Sequence, residues 1–206
     1  MSEYTEFGYH SSEITYNFNY MLEPLLAMLD KSKNQCVLDL GCGNGYLVNY
    51  LIQLGFNAYG TDASEKGIKI AEAINPGRFF VQDLSSGDLP TALQQIKFDT
   101  IISTEVIEHL YDPEGFINFC ARALQKNGEI ILSTPYHGYL KNLVLSLFNK
   151  WDIHADPLWH GGHIKLWSVK TLSNLLVRGG FTVTQFKGSG RVPYLWKSML
   201  IKARLK

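Results

Sequence analysis

The sequence predicts an α/β fold, a doubly wound and mostly parallel sheet of seven strands with an antiparallel strand near the C-terminus. Between residues 36 and 134, short apolar segments alternate with amphipathic helical ones, a pattern that indicates a parallel sheet with helices on both faces. Three glycines crowd the junction after the first strand. The last two apolar segments are joined by Gly188-Ser189-Gly190-Arg191, a link that suits antiparallel neighbours.

Each element follows from apolar spacing and from its end signals. The helix at 113–125 begins with Asp112-Pro113-Glu114 and stops at Asn127-Gly128. Residues 1–10 are expected to be irregular, and a helix from Ser11 or Ser12 to about Asp30 should be kinked or split by Pro24. The other elements are strands near 36–40, 56–60, 78–82, 98–103, 129–134, 181–186 and 195–205, and helices near 45–54, 64–74, 88–95 and 168–177.

Composition favours one domain over 1–206, with an N-terminal helical segment at 1–32. The 19 basic residues balance the 19 acidic ones, which argues against a nucleic-acid partner. The three cysteines lack C-x-x-C spacing, and no apolar segment is long enough to span a bilayer. Because the start of the chain is also polar and acidic, we expect a cytoplasmic protein without a signal peptide.

The turn after the first strand has the chemistry of a cofactor site. Gly41, Gly43 and Gly45 follow a buried apolar segment, and an amphipathic helix begins at about Gly45. Glycine tolerates positive φ and lets backbone approach a ligand, and free N–H groups at a helix start attract an anionic group. The spacing is G-x-G-x-G, not the dinucleotide fingerprint. A tight turn without a ligand is the alternative interpretation.

Acids follow the next two strands at the same edge of the sheet. Asp62 ends the second strand about 20 residues after the turn, where doubly wound folds hold a ribose diol. Asp83 ends the third strand. The alternatives are an acid at a helix start for Asp62 and an exposed loop acid for Asp83.

With these residues the chain resembles the class I S-adenosylmethionine-dependent methyltransferases. The resemblance is good over residues 33–135. The resemblance rests on Leu38-Asp39-Leu40-Gly41-Cys42-Gly43-Asn44-Gly45, on Asp62 and Asp83, and on Phe98-Asp99 through Glu105-Val106-Ile107-Glu108-His109-Leu110. It implies a Rossmann-like methyltransferase fold and S-adenosylmethionine as cofactor. The cofactor-binding residues that it implies are Asp39, Gly41, Gly43, Asp62, Asp83 and Leu84. In many relatives the N-terminal segment closes over the cofactor, which here would involve Tyr9, His10 and Tyr16.

A carboxylate–histidine cluster follows the fourth strand. Glu105, Glu108 and His109 are spaced at i, i+3 and i+4, so on a helical turn they share one face. Two subfamilies with this E-x-x-E-H turn are similar to the chain, the ubiquinone-biosynthesis O-methyltransferases and the small-RNA 3′-terminal 2′-O-methyltransferases. Their metal ligands map onto Glu105, Glu108, His109 and His163, for Mg²⁺ or another divalent ion. Without a metal, His109 is the candidate general base, and Glu105 and Glu108 complete the catalytic set.

The insert at 135–167 is long for a connection and is predicted to be an acceptor lid. Within it, one face of a predicted helix is apolar, and the opposite face carries Lys141, Asn142, Asn149 and Lys150. The apolar residues recur at helical spacing and are Leu140, Leu143, Val144, Leu147, Phe148 and Trp151. This helix either packs on the domain or forms an interfacial lid for a lipid-like acceptor at a membrane surface.

The function that these features predict is O-methylation of a small-molecule quinol or catechol, prenylated in the ubiquinone-type case. One alternative is ribose methylation at an RNA 3′ end, kept open by a basic set comprising Lys187, Arg191, Lys197, Lys202, Arg204 and Lys206. Another is a cofactor-binding subunit without catalysis.

Overall fold

The computed structural model describes residues 8–16, 18–156 and 158–206, so the predicted irregular start of the chain lies largely outside it. Seven strands form one sheet in the order β3-β2-β1-β4-β5-β7-β6. All neighbours pair in parallel except β7, which runs antiparallel to both β5 and β6. The predicted fold class is confirmed. The strands are β1 Cys36–Leu40, β2 Asn57–Asp62, β3 Phe79–Val81, β4 Phe98–Thr104, β5 Leu124–Pro135, β6 Phe181–Ser189 and β7 Ser198–Leu205.

Most predicted helices form, with capping as the sequence indicates. Ser64, Asp112 and Ser168 each accept a backbone N–H in the first turn of the helix that follows. The prediction at 88–95 is wrong, because that segment contains only the 3₁₀ turn Thr91–Leu93. The α-helices are α1 Phe18–Leu26, α2 Tyr46–Gln53, α3 Glu65–Glu72, α4 Pro113–Ala123, α5 Tyr139–Leu147, α6 Trp151–His154 and α7 Val169–Arg178.

Helix α1 is shorter than predicted: residues 11–15 are not helical, and the helix ends at Leu26. Pro24 lies inside it and has no N–H to give to the Tyr20 carbonyl. The Ser189 hydroxyl donates to that carbonyl instead. The proline therefore frees an acceptor that ties α1 to the end of β6.

Two apolar clusters cover the two faces of the sheet. One contains Phe98, Phe116 and Phe181 with helices α4 and α7. The other contains Leu25, Leu47 and Ile68 from α1, α2 and α3. This double covering leaves the carboxyl ends of the parallel strands as the open edge, where ligands bind in such sheets.

The insert departs from its predicted packing. Lys141, predicted on the polar outer face of α5, is only 5% exposed. Leu147 and Phe148, predicted on the apolar face, are 72% and 68% exposed. The helix thus turns an apolar side outward and a lysine inward. Among the described residues, no helix combines the length and apolar character needed to cross a bilayer.

Candidate active site

A cleft of about 2130 Å³ opens at the carboxyl ends of the parallel strands. Of the predicted cofactor-binding residues, Gly41, Gly43, Asp62, Asp83 and Leu84 line it. Glu105, His109 and His163 line the same cleft. The sequence therefore brings the predicted cofactor residues and most of the predicted catalytic residues to one cavity.

The glycine turn has a backbone that other residues adopt poorly. Gly41 and Gly43 have φ values of 80° and 56°. A Cβ at Gly43 would lie 2.5 Å from the Tyr9 hydroxyl, and one at Gly41 would lie 2.4 Å from a Val106 methyl. Both the left-handed backbone and the close packing thus require glycine here.

Asp62 ties this turn to the next helix. One carboxylate oxygen accepts the Gly43 N–H at 2.8 Å and the other accepts the Ser64 N–H at 2.8 Å. These two bonds fix the Asp62 carboxylate at the edge of the cleft, beside the glycine turn. Asp83 is half-buried and accepts the Ser85 N–H at 2.9 Å, which caps the 3₁₀ turn that begins at Leu84.

Asp39 does not line the cleft: it is 1% exposed within β1, and its Oδ1 has no hydrogen-bond partner. Burial, with a smaller contribution from the nearby Asp62 charge, raises the pKa of Asp39 to about 8. In the folded protein, Asp39 therefore carries a proton at neutral pH. Its predicted cofactor contact stays a prediction.

The N-terminal segment crosses the glycine turn, and Asn44 holds it there. The Asn44 amide donates to the carbonyls of Ser11 and Glu13, at 2.8 and 2.9 Å. We call residues 8–13 the N-terminal strap. Asn44 was not among the predicted site residues, although its place between Gly43 and Gly45 is a signal that the sequence offered.

Glu108, His109 and His163 form a second group beside the cleft, which the two histidines line and the buried Glu108 does not. The Nε2 atoms of His109 and His163 lie 4.0 and 3.9 Å from Oε1 of Glu108. Their rings are edge to face, with centroids 5.0 Å apart. The His109 Nδ1–H donates to the Gly162 carbonyl at 3.1 Å, so the Nε2 lone pair faces the carboxylate. The backbone carbonyl of Glu108 accepts the N–H groups of Ile164 and Lys165, which anchors the insert here.

Glu108 is fully buried, and among the described residues no donor meets either carboxylate oxygen in hydrogen-bond geometry, although the Thr134 hydroxyl is close enough to favour its charged form slightly. Burial, and then the charge of Glu105, raises its pKa well above the ordinary range. Burial lowers the pKa of His109, and that of His163 to about 4. A buried carboxyl that faces two neutral imidazoles holds either a proton or a cation. Three ligand atoms within 4.8 Å of one another fit a divalent ion.

Glu105 lies outside this group of three. Its turn is not an α-helix: Glu105 has φ 55°, and a 3₁₀ turn covers Ile107–His109. The Glu105 carboxylate accepts the Ser133 and Ser198 hydroxyls at 2.9 and 3.3 Å. The predicted shared face therefore does not form, because the backbone at Glu105 turns its side chain toward β5 and β7.

The basic set suggested by the sequence does not form one surface. Lys202 is buried and pairs with Glu129 at 2.7 Å. Lys197 lines the cleft and donates to the Tyr16 hydroxyl. These contacts remove two of the six cations from an exposed patch for RNA.

The strand order and the cleft at the carboxyl ends of the strands are those of the class I methyltransferase fold. Residues 14–186 match the profile of a family described as methyltransferase domain, and the chain belongs to that family. The predicted resemblance is thereby confirmed.

Curated relatives include ubiquinone biosynthesis O-methyltransferases. The protein of that name from Caulobacter sp. strain K31 is 36% identical over 48% of this chain and 40% of its own length. Its counterpart from Azoarcus sp. strain BH72 is 32% identical over 74% of this chain and 66% of its own length. The chain thus spans less than half of the first relative and about two thirds of the second.

Solved structures share the fold. Magnesium protoporphyrin IX methyltransferase from Synechocystis PCC 6803, solved with bound SAH, has a TM-score of 0.66 at 24% identity over 90% of this chain and 82% of its own. An S-adenosylmethionine-dependent methyltransferase from Mesorhizobium loti has a TM-score of 0.68 at 22% identity over 88% of this chain and 96% of its own. At these identities the likeness concerns the fold.

Proposed function

We propose that this protein transfers the methyl group of S-adenosylmethionine to a hydroxyl oxygen of a small catechol or quinol, prenylated in the natural acceptor. The observation that carries the proposal is that the glycine turn lines the same cleft as His109 and His163, which meet the buried Glu108. The names of the curated relatives support oxygen as the accepting atom.

The cofactor end would be held by the Gly41–Gly43 turn, Asp62, Asp83 and Leu84, which line that part of the cleft. The fit rests on the turn backbone, where Gly43 has no room for a Cβ, and on the Asp62 carboxylate, which lines the cleft beside that turn. When bound, S-adenosylmethionine supplies an activated methyl group. The protein then has to align the acceptor and remove its proton.

His109 is suited to remove that proton. Its Nδ1–H is held by the Gly162 carbonyl, so Nε2 carries the lone pair. Because burial lowers the pKa of His109, the ring is neutral near pH 7 and ready to accept a proton from a hydroxyl group.

A divalent ion such as Mg²⁺ is the second form of the proposal. Glu108, His109 and His163 would hold it, and the unpartnered Glu108 carboxylate supports that fit. Such an ion lowers the pKa of a bound hydroxyl, which is the same task that His109 performs in the metal-free form.

The test of function is incubation with methyl-labelled S-adenosylmethionine and catechols with and without a short prenyl chain. Label on a catechol oxygen is expected, with a loss of roughly 10²–10⁴-fold in His109→Ala, while S-adenosylhomocysteine binding is retained. Unchanged activity in His109→Ala, or no labelled catechol at all, would contradict the proposal. Label appearing instead on RNA, or cofactor binding without transfer to any acceptor, would favour one of the two alternatives.

Chelation of divalent ions distinguishes the metal-dependent form of the proposal from the form in which His109 acts without a metal. If a metal takes part, EDTA and His163→Ala each abolish transfer, and added Mg²⁺ or Mn²⁺ restores the chelated wild type. If His109 acts alone, EDTA leaves the rate unchanged. A metal role is rejected if chelated wild type keeps full activity.

A further inference from the structure

Lys141 is a buried cation without an anion. Its side chain is 5% exposed and lines the cleft from helix α5. Its ammonium reaches the Lys197 backbone carbonyl at 3.4 Å, and among the described residues no carboxylate lies within the 4.0 Å of an ion pair. A buried ammonium is costly unless a negative group compensates it.

Two more cations stand around Lys141. Arg191 and Lys197 line the same cleft. Burial, and then the nearby charge of Arg191, lowers the pKa of Lys141 to about 8. The Lys197 ammonium lies over the rings of Tyr16 and Tyr20, 4.5 and 5.0 Å from their centroids. Like charges gathered at one wall of a cleft attract an anionic ligand.

The acid that acts on Lys141 is a weak counter-ion. Glu105 attracts the Lys141 charge, but its oxygens already accept the Ser133 and Ser198 hydroxyls. Burial also raises the pKa of Glu105 to about 7. The positive charge of this wall is therefore only partly compensated within the described residues.

The cations share the cleft with the histidine group. Lys141, Arg191 and Lys197 line it together with His109 and His163. A ligand that fills the cleft therefore meets both groups. A wholly neutral acceptor would leave the Lys141 ammonium buried and unpaired.

We propose that Lys141, supported by Arg191 and Lys197, binds an anionic group of the methyl acceptor, a carboxylate or a phosphate. The inference rests on the proposed function, and it narrows the acceptor to an acidic hydroxyl compound. The cations orient the acceptor by its anionic end, while the hydroxyl faces the histidine group.

The test measures binding, which does not require turnover. Calorimetry on the S-adenosylhomocysteine-loaded protein compares catechol, 3,4-dihydroxybenzoate and 3,4-dihydroxybenzylphosphonate. We expect at least one anionic probe to bind about tenfold tighter than catechol, because a charge-assisted hydrogen bond contributes roughly that much. Preference for the benzoate identifies a carboxylate, and preference for the phosphonate identifies a phosphate.

Three variants sharpen the result. Lys141→Met should bring the anionic probes to the affinity of catechol, and Arg191→Gln, at an exposed position, should reduce the preference about threefold. Lys170→Met changes an exposed lysine on α7 outside the cleft and should preserve it. Circular dichroism and S-adenosylhomocysteine affinity report whether each variant folds.

The inference is overturned if wild type binds none of the probes, if it binds all three equally, or if Lys141→Met and Arg191→Gln both keep the anion preference. If the preference and its loss in Lys141→Met are observed but no probe is ever methylated on oxygen, the proposed function fails while the anion site stands. If a catechol is methylated on oxygen but no anion preference is seen, the proposed function stands and the anion site is rejected.

Discussion

At residue 39 a carboxyl group is enclosed within a strand of the sheet. Burial raises the pKa of Asp39 to about 8, whereas an unfolded chain would have a value near 3.9. The native state therefore binds more protons than the unfolded state between about pH 4 and 8, so its stability falls as pH rises through that range. The full loss is on the order of 6 kcal/mol, since the shift is about 4 pKa units and one unit corresponds to about 1.4 kcal/mol.

Asp39→Asn removes this titration. We expect the variant to lose less unfolding free energy than wild type between pH 5 and pH 8, measured by urea denaturation at each pH. The difference between the two slopes is the informative quantity, because other buried acids titrate in both proteins. Parallel slopes would mean that Asp39 is not protonated in the native state.

The N-terminal strap depends on one amide. Asn44 donates to the carbonyls of Ser11 and Glu13, and the strap places Tyr9 against Gly43. In Asn44→Ala both bonds are lost, and bound S-adenosylhomocysteine should dissociate about tenfold faster because the strap no longer closes the turn. Stopped-flow displacement measures the rate.

A matched control is available for the strap. Asn75→Ala also removes a side-chain amide bond, the one that Asn75 donates to Asn49 at 2.7 Å, but at a place away from the cleft. Its dissociation rate should equal that of wild type. Equal rates in Asn44→Ala and wild type would show that the strap does not retain the ligand.

Helix α5 explains why apolar spacing alone misjudged the insert. Periodicity identifies two faces of a helix, but it does not say which one meets the protein. Here the face with Lys141, Val144 and Leu145 lines the cleft, and Leu143 and Leu147 are exposed. The charge on Lys141 suggested solvent, because lysine is rarely buried without a partner.

The exposed side of α5 leads to a prediction about membranes. If the insert is an interfacial lid, wild type should sediment with anionic liposomes, and a Leu143→Ser/Leu147→Ser double variant should sediment several-fold less. Its unfolding free energy should change by less than about 1 kcal/mol, since both residues are exposed. Val177→Ser alters an apolar residue on α7 that is 52% exposed and should sediment like wild type. No sedimentation of wild type rules out the lid-on-membrane idea.

For the molecule as a whole, the sequence predicted the sheet and the glycine turn better than the arrangement of the carboxylate–histidine cluster. Strand identity and the glycine turn are local, and local patterns encode them. The contact between Glu108 and His163 is a tertiary one, because His163 lies near the end of the long insert. It forms only where the fold brings that end of the insert back to Glu108. The positive φ of Glu105 also had no local signal, because the residue is not glycine. Sequence spacing therefore grouped His109 with Glu108, as the structure does, but it also grouped Glu105 with them, and the structure places Glu105 elsewhere.

A cofactor that binds only the folded protein, as proposed, should be visible in global stability. At a concentration of about 100 Kd, a ligand that binds only the native state adds about 2.7 kcal/mol, or roughly 5–10 °C in Tm for a chain of this size. Scanning fluorimetry with S-adenosylhomocysteine should show this rise in wild type. Gly43→Ala should lower the Tm and abolish the rise, because its methyl would meet the Tyr9 hydroxyl at 2.5 Å.

Gly77→Ala supplies the control for Gly43→Ala. Gly77 has a φ of 76°, so alanine is strained there as well, but its Cβ would meet nothing within 4 Å, and Gly77 does not line the cleft. This variant should lose stability without ligand and still gain the full rise with it. If Gly43→Ala keeps the rise, the ligand does not rest on the glycine turn. A loss of the rise in both variants would mean that the effect comes from backbone strain alone.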